Sequence, residues 1–162
     1  MKMQSPKVAI LMGSRSDADI MAPAAETLNE FEVSHEVRIL SAHRTPAETA
    51  AYVEEAEARG IEVIIAGAGY AAHLAGAVAA HTTLPVIGVP LDSSPLKGID
   101  ALYATVQMPG GIPVATMTIG KAGAKNAALF AIQILSRKEP ELVERLKKYR
   151  REMKEAILSI EL

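Results

Sequence analysis

His43 and Arg44 are adjacent residues that could act on a charged ligand, and they follow an apolar stretch typical of a β-strand. An unperturbed imidazole changes charge near neutral pH, and a guanidinium presents a planar fork to phosphate or carboxylate oxygens. Pro46 suits the first turn of a helix. Because α/β proteins bind ligands where strands end, residues 41–46 predict a binding or catalytic loop. Taken alone, the stretch also fits a solvated loop histidine at a helix start.

A second candidate loop, residues 13–17, joins the first predicted strand to the first predicted helix. Its backbone amides, the Ser14 and Ser16 hydroxyls and the positive end of the helix can converge on an anion such as phosphate. Asp17 could cap the helix or accept hydrogen bonds from sugar hydroxyls. Together with Arg44, this loop predicts a sugar phosphate or mononucleotide as the ligand.

Residues 67–74 follow the third predicted strand and superficially match a dinucleotide-binding fingerprint. In that match, Asp92 would be the downstream acidic residue that binds the ribose. That fingerprint belongs after the first strand, so the glycines are interpreted as allowing backbone to approach a flat ligand. His73 is either a structural histidine at a helix start or part of the site. No His, Asp and Glu group has metal-ligand spacing, which predicts no metal.

Strand and helix patterns alternate along the chain. Apolar runs predict strands at residues 7–12, 33–40, 61–66, 85–90 and 112–119. Helical periodicity predicts helices at 17–31, 46–59 and 71–80, and an alanine-rich helix ending at 135. This order predicts a three-layer αβα fold with a doubly wound parallel sheet, flavodoxin-like or Rossmann-like. Residues 92–111, rich in Ser, Pro and Gly, are expected to form a long functional loop.

A charged helix is predicted at residues 139–160 as a C-terminal extension of a single catalytic domain, residues 1–162. Its apolar residues recur every three or four positions: Leu142, Leu146, Tyr149, Met153, Ile157 and Ile160. Such a stripe requires a partner surface. The helix packs either on its own domain or on a neighbouring subunit, and we expect the neighbouring subunit.

The amino-acid composition favours one fold class and disfavours some partners. Of 162 residues, 49% are hydrophobic and 4% aromatic, with no Trp, which suits a parallel sheet covered by helices. A net charge of −2 without a basic block disfavours nucleic acid as a partner. The absence of Cys, of a signal-peptide pattern and of an apolar run of about 20 residues predicts a cytoplasmic protein that is not membrane-bound.

Several stretches between about residues 8 and 135 resemble one enzyme family of purine biosynthesis. They are residues 12–17, 41–46, 66–69, 71–74, 106–109 and 120–128. The resemblance is to the class I N5-carboxyaminoimidazole ribonucleotide mutases, the phosphoribosylaminoimidazole carboxylase catalytic subunit family. It implies reversible transfer of a carboxyl group from an exocyclic nitrogen to ring carbon C4 of an aminoimidazole ribonucleotide. It further implies no cofactor, a homo-octamer, and functional pairing with a carbamate-forming synthetase.

The resemblance also implies roles for individual residues. Ser16, Ser41 and Arg44 would hold the phosphate, with Ser14 lining the same loop. Asp17 would bind the ribose hydroxyls, and His43 would move the proton as general acid and base. The remaining residues assigned to substrate are those around the base and the migrating carboxyl: Ala42, Gly69, Ala71, Ala72, His73 and Leu74.

Two residues depart from the family pattern. Tyr70 stands where the family usually has Gly, and Ala75 where it usually has Pro. Tyrosine lacks the torsional freedom of glycine and adds a ring beside the predicted site. Tyr70 is therefore expected either to alter loop closure, substrate range or activity, or to pack against a neighbouring subunit.

Three other functions are compatible with parts of the sequence. A class II carboxylase would use free CO2 and aminoimidazole ribonucleotide, although residues 71–74 resemble class I. A noncatalytic flavodoxin-like module would bind phosphate or flavin, but aromatic residues for flavin stacking are scarce. An assembly scaffold would draw only on the terminal helix and the Ala/Gly-rich surfaces.

Overall fold

Five parallel strands form one sheet in the computed structural model, which describes residues 5–160. The strands are β1 (Val8–Met12), β2 (His35–Ile39), β3 (Val63–Ala68), β4 (Val86–Pro90) and β5 (Ala115–Thr116). Their spatial order is β2-β1-β3-β4-β5, and each neighbouring pair is parallel. This is the flavodoxin-like order of a doubly wound sheet, so the predicted fold class is confirmed.

Residues 5–160 contain six α-helices. They are α1 (Ala18–Glu30), α2 (Pro46–Glu54), α3 (Leu74–Ala80), α4 (Ile99–Val106), α5 (Lys121–Leu135) and α6 (Pro140–Leu158). Every residue of β1 is buried because helices lie on both faces. Val8, Ile10 and Met12 belong to the core cluster under α1 and α5. Ala9 and Leu11 belong to the cluster under α2 and α3.

Residues 92–111 correct one prediction, because they contain α4 in addition to loop. Crossing from β4 to a parallel β5 requires a connecting element, usually a helix. Ala101 and Thr105, four residues apart, are buried, whereas Tyr103 and Val106 are exposed, which is helical periodicity. The surrounding Ser, Pro and Gly residues masked this short pattern.

Several boundaries also differ from the sequence prediction. The fifth strand is two residues long because it pairs with β4 only at Ala115 and Thr116. The first helix is preceded by a short 3-10 turn, Arg15–Asp17, and the second ends at Glu54 before another turn, Glu57–Arg59. Within residues 5–160, none of the helices has the length and apolar character needed to cross a membrane.

The two halves of α6 have different surroundings. Leu142 is buried, and Leu146 and Tyr149 pack against the core cluster beneath α1 and α5. The Tyr149 ring lies 5.5 Å from the Phe31 ring, centroid to centroid. The first half therefore packs on its own domain. The later apolar residues are exposed: Met153 by 53%, Ile157 by 69% and Ile160 by 62%.

Candidate active site

The carboxyl ends of the strands bring the predicted loops together. Met12 at the end of β1 is level with Ile39 of β2 on one side and Gly67 of β3 on the other. The loops that follow these strands enclose a cavity of about 610 Å³. The lining residues are Gly13, Ser14, Ser16, Asp17, Ser41, Ala42, His43, Arg44, Ala68, Gly69, Tyr70, Ala71, His73, Leu74 and Ser93.

The loop after β1 brings two hydroxyl groups together. Ser14 has an extended backbone, and its Oγ accepts a hydrogen bond from the Ser16 amide at 3.3 Å. The Ser16 hydroxyl donates to the same oxygen at 2.9 Å. Ser14 therefore caps the 3-10 turn, and both hydroxyls line the cavity at the start of α1. Hydroxyls at a helix N-terminus are suited to an anion.

Asp17 lies at the inner end of this loop and is only 7% exposed. Burial raises the pKa of its carboxyl, although the Ser14 backbone, the positive charge of Arg44 and the Ser16 hydroxyl act in the opposite direction. The carboxyl makes no capping hydrogen bond to α1. The helix-cap alternative is therefore wrong, and the carboxylate lines the cavity, where it can accept hydrogen bonds from a ligand.

Arg44 links the loops after β1 and β2. Its Nη2 donates to the Gly13 carbonyl oxygen at 2.5 Å, and its Nε lies 3.4 Å from Ser41 Oγ, to which it also donates. The Arg44 amide donates to the same Ser41 oxygen at 3.2 Å. The guanidinium is thus tied to the first loop at Gly13 and to its own loop at Ser41. This arrangement places a positive charge and a fork of N–H donors in the wall of the cavity.

His43 and His73 contact each other across the cavity. His43 Nε2 and His73 Nδ1 are 2.6 Å apart, and the rings meet edge to face with centroids 4.7 Å apart. One nitrogen must donate its proton to the lone pair of the other. The strands before these loops, β2 and β3, are separated by β1, so the loops span about two strand spacings, roughly 9–10 Å.

This contact bears on the two interpretations of His73. Its side chain makes no capping hydrogen bond to α3, and it lines the cavity beside His43. A purely structural role at the helix start therefore does not describe it. The sequence placed both histidines in loops at the same sheet edge, but their contact was not predicted.

Eleven of the twelve predicted site residues line the cavity; the exception is Ala72, which is 1% exposed and buried within its loop. Four further residues line the cavity: Gly13, Ala68, Tyr70 and Ser93. Ser93 follows β4 and could have been found by the strand-end rule. A Cβ on Gly69 would lie 2.0 Å from Ser93 Oγ, so a larger residue at this position would have to displace the Ser93 hydroxyl.

Replacing Asp17 by Asn tests the electrostatics of the site. Because burial raises the pKa of Asp17, the ionised carboxylate destabilises the fold. That cost appears as pH rises through the range between the unfolded-state and folded-state pKa values. We expect Asp17→Asn to match or exceed the wild-type Tm at neutral pH, with the difference shrinking as pH falls.

Thermal unfolding between pH 4 and 8 measures this effect. Asp19→Asn is the control, since Asp19 is exposed in the first turn of α1 and its charge carries no such burial cost. A lower Tm for Asp17→Asn at neutral pH, with no trend toward equality in acid, would contradict the assignment.

Comparisons with known proteins agree with this geometry. The AIR carboxylase family matches residues 7–156. An N5-carboxyaminoimidazole ribonucleotide mutase of Pyrococcus abyssi is 59% identical over 153 residues, which cover 94% of this chain and 87% of that protein. The Escherichia coli K12 protein of the same name is 53% identical over 152 residues, or 94% and 90% of the two chains.

A solved structure described as Treponema denticola PurE superposes with a TM-score of 0.85 at 32% identity, and the match covers 94% of each chain. The family match spans most of the sequence and includes all the loops that line the cavity. The resemblance predicted from the sequence is therefore confirmed. This chain belongs to the AIR carboxylase family.

Proposed function

We propose that this chain converts N5-carboxyaminoimidazole ribonucleotide into 4-carboxyaminoimidazole ribonucleotide in purine biosynthesis. The observation that carries the proposal is a single cavity that brings two sets of groups together. One set, called the polar end, is Ser14, Ser16, Asp17 and Arg44, which suit a sugar phosphate; the other is the contacting pair His43 and His73. Relatives 53% and 59% identical to this chain carry the name of this activity.

The polar end fits the ribose phosphate. Ser16, Ser41 and Arg44 bind the phosphate, and the Ser14 hydroxyl supports Ser16. Asp17 accepts hydrogen bonds from the ribose hydroxyls, which offset the cost of its burial. Binding energy gained at this end holds the base in register at the other end, away from the phosphate.

His43 takes part in two proton transfers, first as an acid and then as a base. In its cationic form it donates a proton to the carbamate nitrogen. The bond from that nitrogen to the carboxyl carbon then breaks, its electron pair stays on nitrogen, and CO2 is released. The enamine-like C4 attacks CO2 and forms a carbon–carbon bond. Neutral His43 removes the C4 proton, which restores the aromatic ring and returns the imidazole to its starting state.

His73 positions His43 for this work. The 2.6 Å contact between their ring nitrogens fixes the direction in which the His43 ring points. It also leaves one nitrogen of the pair as donor and the other as acceptor. Fixing the ring beforehand lowers the cost of orienting it in the transition state.

The substrate already carries the carboxyl group, so this step needs neither ATP nor biotin. Its requirement is that CO2 stay beside C4. Ala68, Ala71 and Leu74 form an apolar part of the wall near the histidines. An apolar wall does not hold water by hydrogen bonds. Confinement keeps CO2 close to C4.

We extend the proposal to assembly and location. The exposed apolar end of α6 fits a contact with a neighbouring subunit in a homo-octamer. Functional pairing with a synthetase that forms the carbamate follows from the chemistry of the substrate. A cytoplasmic location, expected for a chain without cysteine, stays a prediction.

Isotopic CO2 distinguishes the mutase from a class II carboxylase that uses dissolved CO2. Wild-type protein supplied with the N5-carboxylated nucleotide in labelled bicarbonate should form product that retains most of the original carboxyl, because CO2 stays confined. Mass spectrometry of the product measures the label. Product that carries mainly label, or turnover only from aminoimidazole ribonucleotide, would identify the class II reaction.

Two substitutions separate the chemistry from the binding. His43→Asn keeps a polar side chain but cannot shuttle the proton, so we expect turnover to fall at least about a hundredfold. Nucleotide affinity should change little. Arg44→Ala is the matched variant at the next position: its affinity for phosphate-bearing ligands should fall at least about tenfold.

Turnover by ultraviolet absorbance and affinity by calorimetry give both results. Near-normal turnover in His43→Asn would reject the role of His43. Unchanged affinity in Arg44→Ala would reject the phosphate assignment.

A charge on the exposed end of α6 tests assembly. Ile157→Lys places a charged group in the apolar stripe, so we expect a smaller assembly by multi-angle light scattering. Glu155→Lys introduces the same residue two positions away on another face and should keep the wild-type mass. Equal masses for wild type and Ile157→Lys would remove α6 from the interface.

A further inference from the structure

Tyr70 occupies a conformation that costs free energy and gains no burial in return. Its backbone φ is +54°, in the left-handed region that an L-residue with a side chain rarely adopts. The side chain is nevertheless 58% exposed. Tyr52, by contrast, is half-buried, and its hydroxyl donates to Glu36 at 2.7 Å. The fold of one chain therefore accounts for Tyr52 but not for Tyr70.

The loop that carries Tyr70 is anchored on both sides. Before it, Gly69 lies against the Ser93 side chain so closely that a Cβ would be 2.0 Å from Ser93 Oγ. After it, Ala72 and Leu74 are buried, at 1% and 2% exposed. Tyr70 and Ala71, which lie between Gly69 and Ala72, are both exposed. The ring can therefore change its orientation without rearranging the loop.

The Tyr70 ring is also chemically suited to contact a flat ligand. The aromatic rings that line the cavity are those of His43, His73 and Tyr70. The histidines contact each other, so the tyrosine ring is the one available to stack on a flat ligand. An aromatic ring stacks on any heteroaromatic face, and stacking excludes water from the covered side.

We propose that the Tyr70 ring closes over the aminoimidazole base of the bound ribonucleotide and determines specificity for ligands with a planar base. This inference rests on the proposed function, since it takes its ligand from that reaction. The bound base would supply the packing that the free chain lacks, so the strained backbone holds the ring ready at the cavity mouth. A covered base would also help to retain CO2 next to C4.

Two ligands and two substitutions test this contact. The ligands are 4-carboxyaminoimidazole ribonucleotide and ribose 5-phosphate, which has the sugar and phosphate but no base. Tyr70→Phe keeps the ring and removes the hydroxyl. Tyr70→Leu removes the ring but keeps a side chain that is unbranched at Cβ, so the left-handed backbone costs about the same in both variants.

Calorimetry should show affinities of Tyr70→Phe within about twofold of wild type for both ligands. Tyr70→Leu should bind the carboxylated nucleotide about tenfold more weakly, the loss expected for one stacked ring, and bind ribose 5-phosphate like wild type. Light scattering should give the same mass for all three proteins.

Other outcomes overturn the inference. Unchanged nucleotide affinity in Tyr70→Leu shows that the ring does not cover the base, and a reduced mass in that variant would assign Tyr70 to a subunit contact instead. Equal losses for both ligands would place its effect on the phosphate end. If wild type turns over the N5-carboxylated nucleotide, these results leave the proposed function intact. A wild-type chain that binds no nucleotide overturns both proposals.

Discussion

The parallel pairing of β1 with both β2 and β3 is the constraint on which the site depends. All five residues of β1 pair on each side, without a break in register. The three strands therefore end at one level, and the loops after them face one another. A register shift of one residue would turn each side chain to the opposite face of the sheet and expose the alternating core. The same pairing that buries β1 thus holds the functional loops in place.

The histidine contact is a consequence of this arrangement. Neighbouring strands would bring their loops together directly, but β2 and β3 flank β1. His43 and His73 must therefore approach each other across the end of β1, where the serine loop begins. Arg44 reaches back to the Gly13 carbonyl and ties the outer loop to the central one. The histidine pair and the groups proposed to bind the phosphate consequently share one support.

The sequence was sufficient for the architecture and for most of the site because strand ends and helix starts are local signals. The three loops containing Ser16, His43 and His73 were predicted from their position after apolar runs. α4 was missed because a helix of eight residues between Ser-, Pro- and Gly-rich segments has little room to show periodicity. The short β5 was overestimated because strand length depends on pairing with β4, which is a tertiary property.

Side-chain relations between distant loops were harder to predict. Ala72 lies in a predicted site loop, but its side chain is buried, since only every few residues of a short loop face the ligand. Asp17 had two possible roles that the sequence could not separate. The structure shows no capping hydrogen bond from its side chain to α1, and its role toward the ribose stays a proposal. Ser93 joins the site through its approach to Gly69, which depends on the distance between β3 and β4 loops.

The polar and apolar groups that line the cavity match the demands of the proposed reaction. A ribose phosphate is held best by charges and hydroxyls, which Arg44, Asp17 and Ser16 supply. Free CO2 is held best in an enclosed, apolar part of the site, because CO2 that diffuses into the solvent is diluted away from C4. The contacting pair His43 and His73, beside Ala71 and Leu74, provides the proton donor and acceptor that the proposed transfer needs.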